Sequence, residues 1–221
     1  MSVARAVVAE AIGTALLLAI VVGSGIMGAK LAAGNTAVAL LANSIATGTG
    51  LYVLIVVFGP ISGAHFNPVV SCVSVWQKTL SARACGSYIL AQLVGAFAGV
   101  VAAHAMFGLP LLQVSAHLRS TPGEGLGEII ATFGLVLVIL LTVQYRREAV
   151  PIAVACFITS AYWFTASTSF ANPAVTLARA ATATFAGIAP QSVPLFLGGQ
   201  IIGGIAAVLL ARWLIVRTAA E

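Results

Sequence analysis

Charged side chains are scarce in this sequence: they make up 7% of its 221 residues, and only five residues are acidic. Hydrophobic residues make up 61%, and the mean hydropathy is +1.10. Both values lie far outside those of soluble domains. So few carboxylates leave no ring of acidic side chains to line a path for cations. The composition indicates an integral membrane protein.

Cysteine is also rare, and its three copies show none of the spacings of a metal site. Cys72, Cys85 and Cys156 fall in apolar or near-membrane segments, where we expect them to act as small packing residues. No set of serine, histidine and aspartate and no metal cluster has the sequence context of catalysis. We therefore expect a protein without enzyme activity, cofactor or metal.

Six apolar runs are long enough, or nearly long enough, to cross a bilayer. They extend over residues 6–27, 38–58, 84–107, 126–143, 151–166 and 193–216. The fifth is short, and we expect it to continue through Ser169. The first run is too long, and begins too close to Met1, to be a cleaved signal peptide.

The basic residues indicate the orientation in the membrane. With both termini in the cytoplasm, three of the ten lie outside, namely Lys30, Arg119 and Arg179. The seven inner ones are Arg5, Lys78, Arg83, Arg146, Arg147, Arg212 and Arg217. This distribution follows the positive-inside rule, and it accounts for the net charge of +5 without a nucleic-acid partner. We predict a multi-pass protein of the plasma membrane with cytoplasmic termini.

Two similar tripeptides occupy corresponding places in the two halves of the chain: Asn67-Pro68-Val69 and Asn172-Pro173-Ala174. Asparagine suits a helix N-cap, and proline suits the first helical position. We predict helices over residues 67–76 and 172–182, each roughly 15 Å long at about 1.5 Å per residue. That is half of a hydrocarbon core of roughly 30 Å. Two such half-helices that meet at their N-termini would place two positive dipole ends at the midplane.

The two halves repeat further polar positions. Glu10 opens the first half and Glu128 the second, each with a threonine one helical turn later. Gln92 in the third span and Gln200 in the sixth are flanked by small residues in the same register, and small residues let helices approach closely in lipid. Each half thus consists of two spans, a half-helix and a third span. Because three is odd, the second half enters from the opposite face of the membrane.

The sequence therefore predicts an all-α membrane protein with six transmembrane helices and two re-entrant half-helices in an inverted repeat. We expect one channel domain over residues 1–221. The repeats cover about residues 1–107 and 124–221, and an outer loop of about residues 108–123 joins them. Tyr162, Trp163 and Phe164, near the outer end of the fifth span, could line the outer vestibule, but an aromatic cluster at a helix end more often forms an anchor at the membrane interface, and we expect that role.

These features resemble the aquaporin family, the major intrinsic proteins, whose hallmark is two Asn-Pro-Ala motifs on inverted half-helices. The resemblance covers nearly all of the chain and implies a homotetramer with one pore per subunit. It implies that Asn67 and Asn172 donate amide hydrogens to passing solutes. It also implies that Glu10 and Glu128 are structural residues that hold the half-helix loops, and that His65 lies in the pore wall.

Two positions depart from the family's pattern. Val69 replaces the alanine of the first motif, and we expect it to crowd the place where the two prolines would pack. Val175 stands where the family carries the arginine of its outer selectivity filter. Arg179 lies roughly 6 Å further along the helix, so we do not expect it to substitute.

The family's spacing assigns the selectivity filter to Thr47, Ser160, Ser169 and Val175. This ring contains no aromatic residue, histidine or arginine, and should be wide and weakly polar. It resembles the bacterial aquaglyceroporin branch associated with arsenic resistance, which carries small uncharged arsenicals.

We therefore expect a passive channel for small uncharged solutes. They would be water, glycerol-like polyols and urea and, through the resemblance to that branch, arsenous acid or methylated arsenicals. A secondary active transporter is the alternative, because inverted repeats and broken helices occur there too. It would need a coupling-ion site. A membrane-embedded enzyme would need a nucleophile or metal site that the sequence does not offer.

Overall fold

The structure is a computed structural model that describes residues 2–215. Within these residues the chain forms eight α-helices. They are α1 (Val3–Leu31), α2 (Thr36–Ser62), α3 (Pro68–Trp76), α4 (Ala82–Met106), α5 (Pro122–Tyr145), α6 (Val150–Phe164), α7 (Pro173–Arg179) and α8 (Val193–Leu214). Short 3-10 turns over Arg147–Ala149 and Pro190–Ser192 precede α6 and α8. Arg217, which the sequence assigned to the inner side, and Val216, the predicted end of the sixth run, lie outside the described residues.

The predicted fold class is confirmed: α1, α2, α4, α5 and α8 are long and apolar enough to cross a membrane. The short fifth span is α6, which has 15 residues and gains length from the 3-10 turn before it. The helices α3 and α7 are the two predicted half-helices. We call the end of the bundle that carries Val3 and Leu214 the terminal face. The opposite end, which carries the connection between α4 and α5, is the connector face.

Two predicted helix ends were wrong. The helix α6 stops at Phe164 rather than Ser169, because the chain becomes extended at Thr165 and turns towards the centre of the bundle. The helix α7 stops at Arg179 rather than residue 182. The carbonyls of Ala180 and Ala181 accept hydrogen bonds from the connector instead of continuing the helix.

The small residues of the third and sixth spans lie where helices touch backbone to backbone. The helix α4 packs along α1, and a Cβ at Gly95 or Gly99 would collide with carbonyl groups of that helix. The helix α8 packs along α5, where a Cβ at Gly203 would collide with the Ile129 carbonyl. The repeated register in the sequence therefore corresponds to two equivalent helix pairs.

The connector, residues 107–121, covers the C-terminal end of α7. Its backbone bonds to the segment after α7, with Gln113 N donating to Ala181 O at 3.0 Å and Ser115 N to Ala180 O at 3.2 Å. Thr121 and Glu124 then form a capping box at the start of α5. The connector is thus fixed against the second half-helix.

The basic residues at the two faces differ in exposure as well as in number. On the connector face Lys30 is exposed, whereas Arg119 and Arg179 are buried. On the terminal face Arg5, Lys78, Arg83, Arg146, Arg147 and Arg212 are all exposed. The cysteines differ from the expectation, because Cys85 is buried but Cys72 and Cys156 are exposed.

Candidate functional site: a cavity between the half-helices

The two half-helices meet at their N-caps near the centre of the bundle. The Oδ1 atom of Asn67 accepts from Val69 N at 2.9 Å, and that of Asn172 accepts from Ala174 N at 3.0 Å. The amide nitrogens cross to the other half: Asn67 Nδ2 donates to Ala171 O at 2.8 Å, and Asn172 Nδ2 donates to Phe66 O at 2.7 Å. Because a carboxamide NH₂ has two hydrogens, each asparagine keeps one hydrogen for another acceptor.

The loops before the two asparagines have the same unusual backbone. Residues one and three positions before each asparagine are left-handed, with φ of 51° at Ala64, 49° at Phe66, 50° at Ser169 and 48° at Ala171. This region costs a non-glycine residue roughly 1 kcal/mol or more. The surrounding structure must therefore hold both loops in place.

The second loop is held by Glu128, which is fully buried. Its carboxylate accepts from Phe170 N and Ala171 N, both at 2.8 Å, and from Gln200 Nε2 at 2.6 Å. Gln200 also donates to Thr176 Oγ1 on α7 at 2.8 Å. The carboxylate thus links α5, the loop and α8.

Glu10 has the equivalent contacts in the first half. It accepts from His65 N at 2.9 Å, from Phe66 N at 2.7 Å and from Gln92 Nε2 at 2.8 Å. Ser62 Oγ adds a fourth hydrogen bond at 2.6 Å. These contacts are those of a structural residue, because they join α1 to the end of α2, to the loop and to α4.

The side chain of Val69 packs towards α8. It belongs to the apolar cluster between α5 and α8, and it faces Gly204 so closely that a Cβ on that glycine would lie 2.8 Å from Val69 Cγ1. The glycine on α8 accommodates the larger residue of the first motif. The equivalent positions in the other half, Ala174 and Ala96, are both alanine and fully buried.

A cavity of about 590 Å³ runs from the terminal face past both half-helix N-termini to the connector side. Near the terminal face its wall includes Gln144, Arg147 and His65. The His65 ring nitrogens lie 3.1 Å from Ser71 Oγ and 3.4 Å from Ser74 Oγ. The middle of the wall carries Asn67 and Asn172, and the connector side carries Thr47, Ser169 and Val175. Pro68, Pro173 and Ala174 stand behind this wall in the first turns of the half-helices.

Ser160 was the wrong choice for the filter position on α6. Its side chain is exposed, and its Oγ donates to the Phe157 carbonyl at 2.8 Å. The cavity face of α6 instead carries Val154, Ile158 and Tyr162, which are four residues apart. Two residues correspond to about 200° around a helix, so Ser160 points away from Ile158 and Tyr162.

Tyr162 is therefore an aromatic residue of the cavity wall that the sequence reasoning missed. It is buried rather than anchored at the interface, and its hydroxyl donates to Thr47 Oγ1 at 3.3 Å. Its neighbour Trp163 is exposed and donates to Ser44 Oγ at 3.0 Å. The four-residue spacing of apolar residues along α6 was the signal that could have identified it.

Arg179 also lies on the cavity wall, one helical turn beyond Val175. It is 2% exposed, and its Nε donates to the Ala186 carbonyl. The guanidinium carbon lies 3.4 Å from the centre of the Phe170 ring. The connector side of the cavity thus contains a cation as well as hydroxyl groups.

This architecture defines the class of protein: a helical membrane channel in which two half-helices meet inside the bundle beside a long internal cavity. The family model described as "Major intrinsic protein" matches residues 1–161. The chain belongs to the major intrinsic protein family, which confirms the resemblance seen in its motifs. It is therefore a channel and not an enzyme.

Individual relatives agree with this assignment. The chain is 53% identical over 211 residues to the aquaglyceroporin AqpS of Rhizobium meliloti (strain 1021), covering 96% of this chain and 90% of the relative. It is 37% identical over 155 residues to human aquaporin-1, covering 65% of this chain and 56% of that protein. The X-ray structure of the aquaglyceroporin from Plasmodium falciparum has the same fold, with a TM-score of 0.74, 20% identity and coverage of 96% and 95% of the two chains.

Proposed function

We propose that the protein is a passive channel for small uncharged solutes: water, glycerol-like polyols and urea, with arsenous acid and methylated arsenicals as further candidates. The observation that carries this proposal is the cavity that passes both Asn67 and Asn172. The similarity to proteins named aquaglyceroporin supports glycerol as a solute. No cofactor and no nucleic acid take part.

The asparagines explain how a neutral solute would cross the centre. Each keeps one amide hydrogen that is not used in the crossed hydrogen bonds, and a passing water or polyol oxygen can accept it. The N-termini of the half-helices add two positive dipole ends at the same level. A neutral solute exchanges hydrogen bonds there at low cost, whereas a bare cation meets positive potential and loses its hydration.

In this proposal, the selectivity filter lies at the connector side of the cavity. Thr47, Tyr162 and Ser169 contribute hydroxyl groups, and Val175 contributes an apolar surface. The Ser169 hydroxyl is buried without a hydrogen-bond partner among the described residues. Such a wall suits solutes that carry both hydroxyl groups and carbon atoms.

A secondary transporter would need a group that binds a coupling ion. The carboxylates within the bundle are those of Glu10 and Glu128, and the half-helix loops already occupy them. Glu124 caps α5, and Glu148 is exposed in the turn before α6. The carboxylates of the described residues therefore favour a channel.

The surface supports the proposed location, and the family resemblance supports the proposed assembly. Many large apolar side chains are exposed around the helices, as lipid or neighbouring subunits require. The exposed basic residues gather on the terminal face, so we place both termini in the cytoplasm and the protein in the bacterial inner membrane. We propose a homotetramer, which cross-linking in intact membranes would detect.

Solute flux in reconstituted vesicles tests the proposal. Vesicles exposed to an osmotic step of glycerol, urea or arsenous acid should swell faster with the protein than without it, and their rate should not saturate or depend on a sodium or proton gradient. Flux equal to that of empty vesicles would refute a channel. Flux driven by an ion gradient would instead support a transporter.

Val175→Arg tests the filter. The larger side chain narrows the connector side, so glycerol flux should fall relative to water flux by roughly tenfold. Ser160→Val, on the exposed side of α6, is the matched control and should leave both fluxes unchanged. An equal loss of water and glycerol flux with Val175→Arg would count against the filter assignment.

A further inference from the structure

Arg179 is a buried cation that the channel architecture alone does not explain. It is the last residue of α7, one helical turn beyond Val175, and both residues lie on the cavity wall. Its side chain is 2% exposed. A cation is costly to bury, so this position calls for a compensating role.

The side chain reaches back towards the centre of the bundle. Side chains on an α-helix lean towards its N-terminus, and the Arg179 guanidinium carbon lies 3.4 Å from the centre of the Phe170 ring. Phe170 precedes Asn172 by two residues, and Glu128 holds its backbone. The charge therefore lies beside the loop of the second half-helix, although the Cα atom is roughly 6 Å further out than that of Val175.

The guanidinium of Arg179 uses only part of its hydrogen-bonding capacity within the protein. Its Nε donates to the Ala186 carbonyl, and its face stacks on Phe170. Its Nη1 is buried and has no hydrogen-bond partner within residues 2–215. A buried donor without a partner is costly, and Arg179 is one of the residues that line the cavity.

Arg119 shows that a buried arginine at this end need not face the cavity. It lies on the same phenyl ring, with its guanidinium carbon 5.3 Å from the ring centre. Its Nε donates to Gly187 O at 3.1 Å, and its Nη1 donates to Ser167 O at 3.4 Å. These contacts attach the connector to the loop, and the residues that line the cavity include Arg179 but not Arg119.

We propose that Arg179 is the residue of the outer filter that selects solutes by charge. It lies one helical turn beyond Val175 and provides the positive charge that a valine lacks. The guanidinium donates a hydrogen bond to an oxygen of a neutral solute that passes Val175, and its charge excludes cations of the same size. This inference rests on the proposed channel function.

The test compares two planar solutes of nearly equal size, neutral urea and cationic guanidinium. Wild-type vesicles should pass urea and exclude guanidinium. In Arg179→Gln the permeability ratio of guanidinium to urea should rise about tenfold or more, because removing one charge a few ångströms from the path has an effect of at least that size at an effective dielectric constant of about 20. Arg179→Lys keeps the charge and should keep the low ratio.

Arg119→Gln is the matched control, since it removes a second buried arginine from the same ring. If Arg179 only supported the fold, both glutamine variants would alter urea flux alike and neither would admit guanidinium, and that result would overturn the inference.

A second variant covers the case in which Arg179→Gln does not fold. Arg179→Met keeps the apolar contact with Phe170 and then replaces the glutamine variant. Wild-type vesicles that pass guanidinium as fast as urea would also overturn the inference. Wild-type vesicles that pass neither solute faster than empty vesicles would instead refute the channel itself.

Discussion

Replacing Glu128 by glutamine should damage the second half-helix loop more than any other isosteric change in the chain. The partners of the carboxylate, Phe170 N, Ala171 N and Gln200 Nε2, are all donors, so both carboxyl oxygens act as acceptors. In Glu128→Gln one oxygen becomes an NH₂ group that faces a donor. Hydrogen bonds to a charged group contribute about 1.5–3 kcal/mol each, and an unpaired buried N–H costs about 1–3 kcal/mol.

Together these terms predict a loss of about 3–5 kcal/mol in the free energy of unfolding, out of the 5–15 kcal/mol that is typical of folded proteins. Flux should fall as well, because the Ala171 carbonyl in this loop accepts the Asn67 amide. Thermal unfolding in detergent, followed by tryptophan fluorescence, measures the first effect, and vesicle swelling in glycerol measures the second. Glu124→Gln, in the capping box of α5, is the control and should cost less than about 1 kcal/mol. A Glu128→Gln protein within about 0.5 kcal/mol of wild type would refute the reasoning.

Two further predictions concern packing and the filter. Gly204→Ala should destabilise the protein by about 1–3 kcal/mol, because the new Cβ would lie 2.8 Å from Val69 Cγ1. Adding Val69→Ala should restore part of that loss, and unfolding midpoints of both single variants and the double variant give the coupling; strictly additive losses would contradict the contact. Tyr162→Ala should raise the flux of polyols larger than glycerol relative to water, and swelling rates measure the ratio. Tyr162→Phe should change stability by less than about 1 kcal/mol, since the bond that it removes, to Thr47, is long at 3.3 Å.

The half-helices could be predicted because local rules determine them. An asparagine followed by proline starts a helix whatever lies around it, and the structure begins α3 and α7 directly after Asn67 and Asn172. The repeated positions of Glu10 and Glu128 indicated which side chains hold the loops. Each of these inferences used residues whose spacing is fixed by a single helix or by the repeat.

The residues of the selectivity filter were harder to predict. They come from several elements, and no local rule determines how those elements lie relative to one another. Counting back from Asn172 to Ser160 assumes a loop length, and the early end of α6 changes which residue faces the cavity. The rise along α7 gave the position of the Arg179 backbone but not the direction of its side chain. The space for the Val69 side chain depends on Gly204 on α8. No sequence pattern indicates that these two distant residues are in contact.

Accessibility of substituted cysteines to a small neutral thiol reagent tests the central claim most directly, namely that solutes pass beside Val175 between the half-helices. The native Cys72, Cys85 and Cys156 are first replaced by alanine, and Val175→Cys and Ser160→Cys are then labelled to the same extent, as judged by mass spectrometry. Labelling should block glycerol flux through Val175→Cys and leave flux through Ser160→Cys unchanged. Unblocked flux through fully labelled Val175→Cys, or a block at Ser160→Cys alone, would contradict this account.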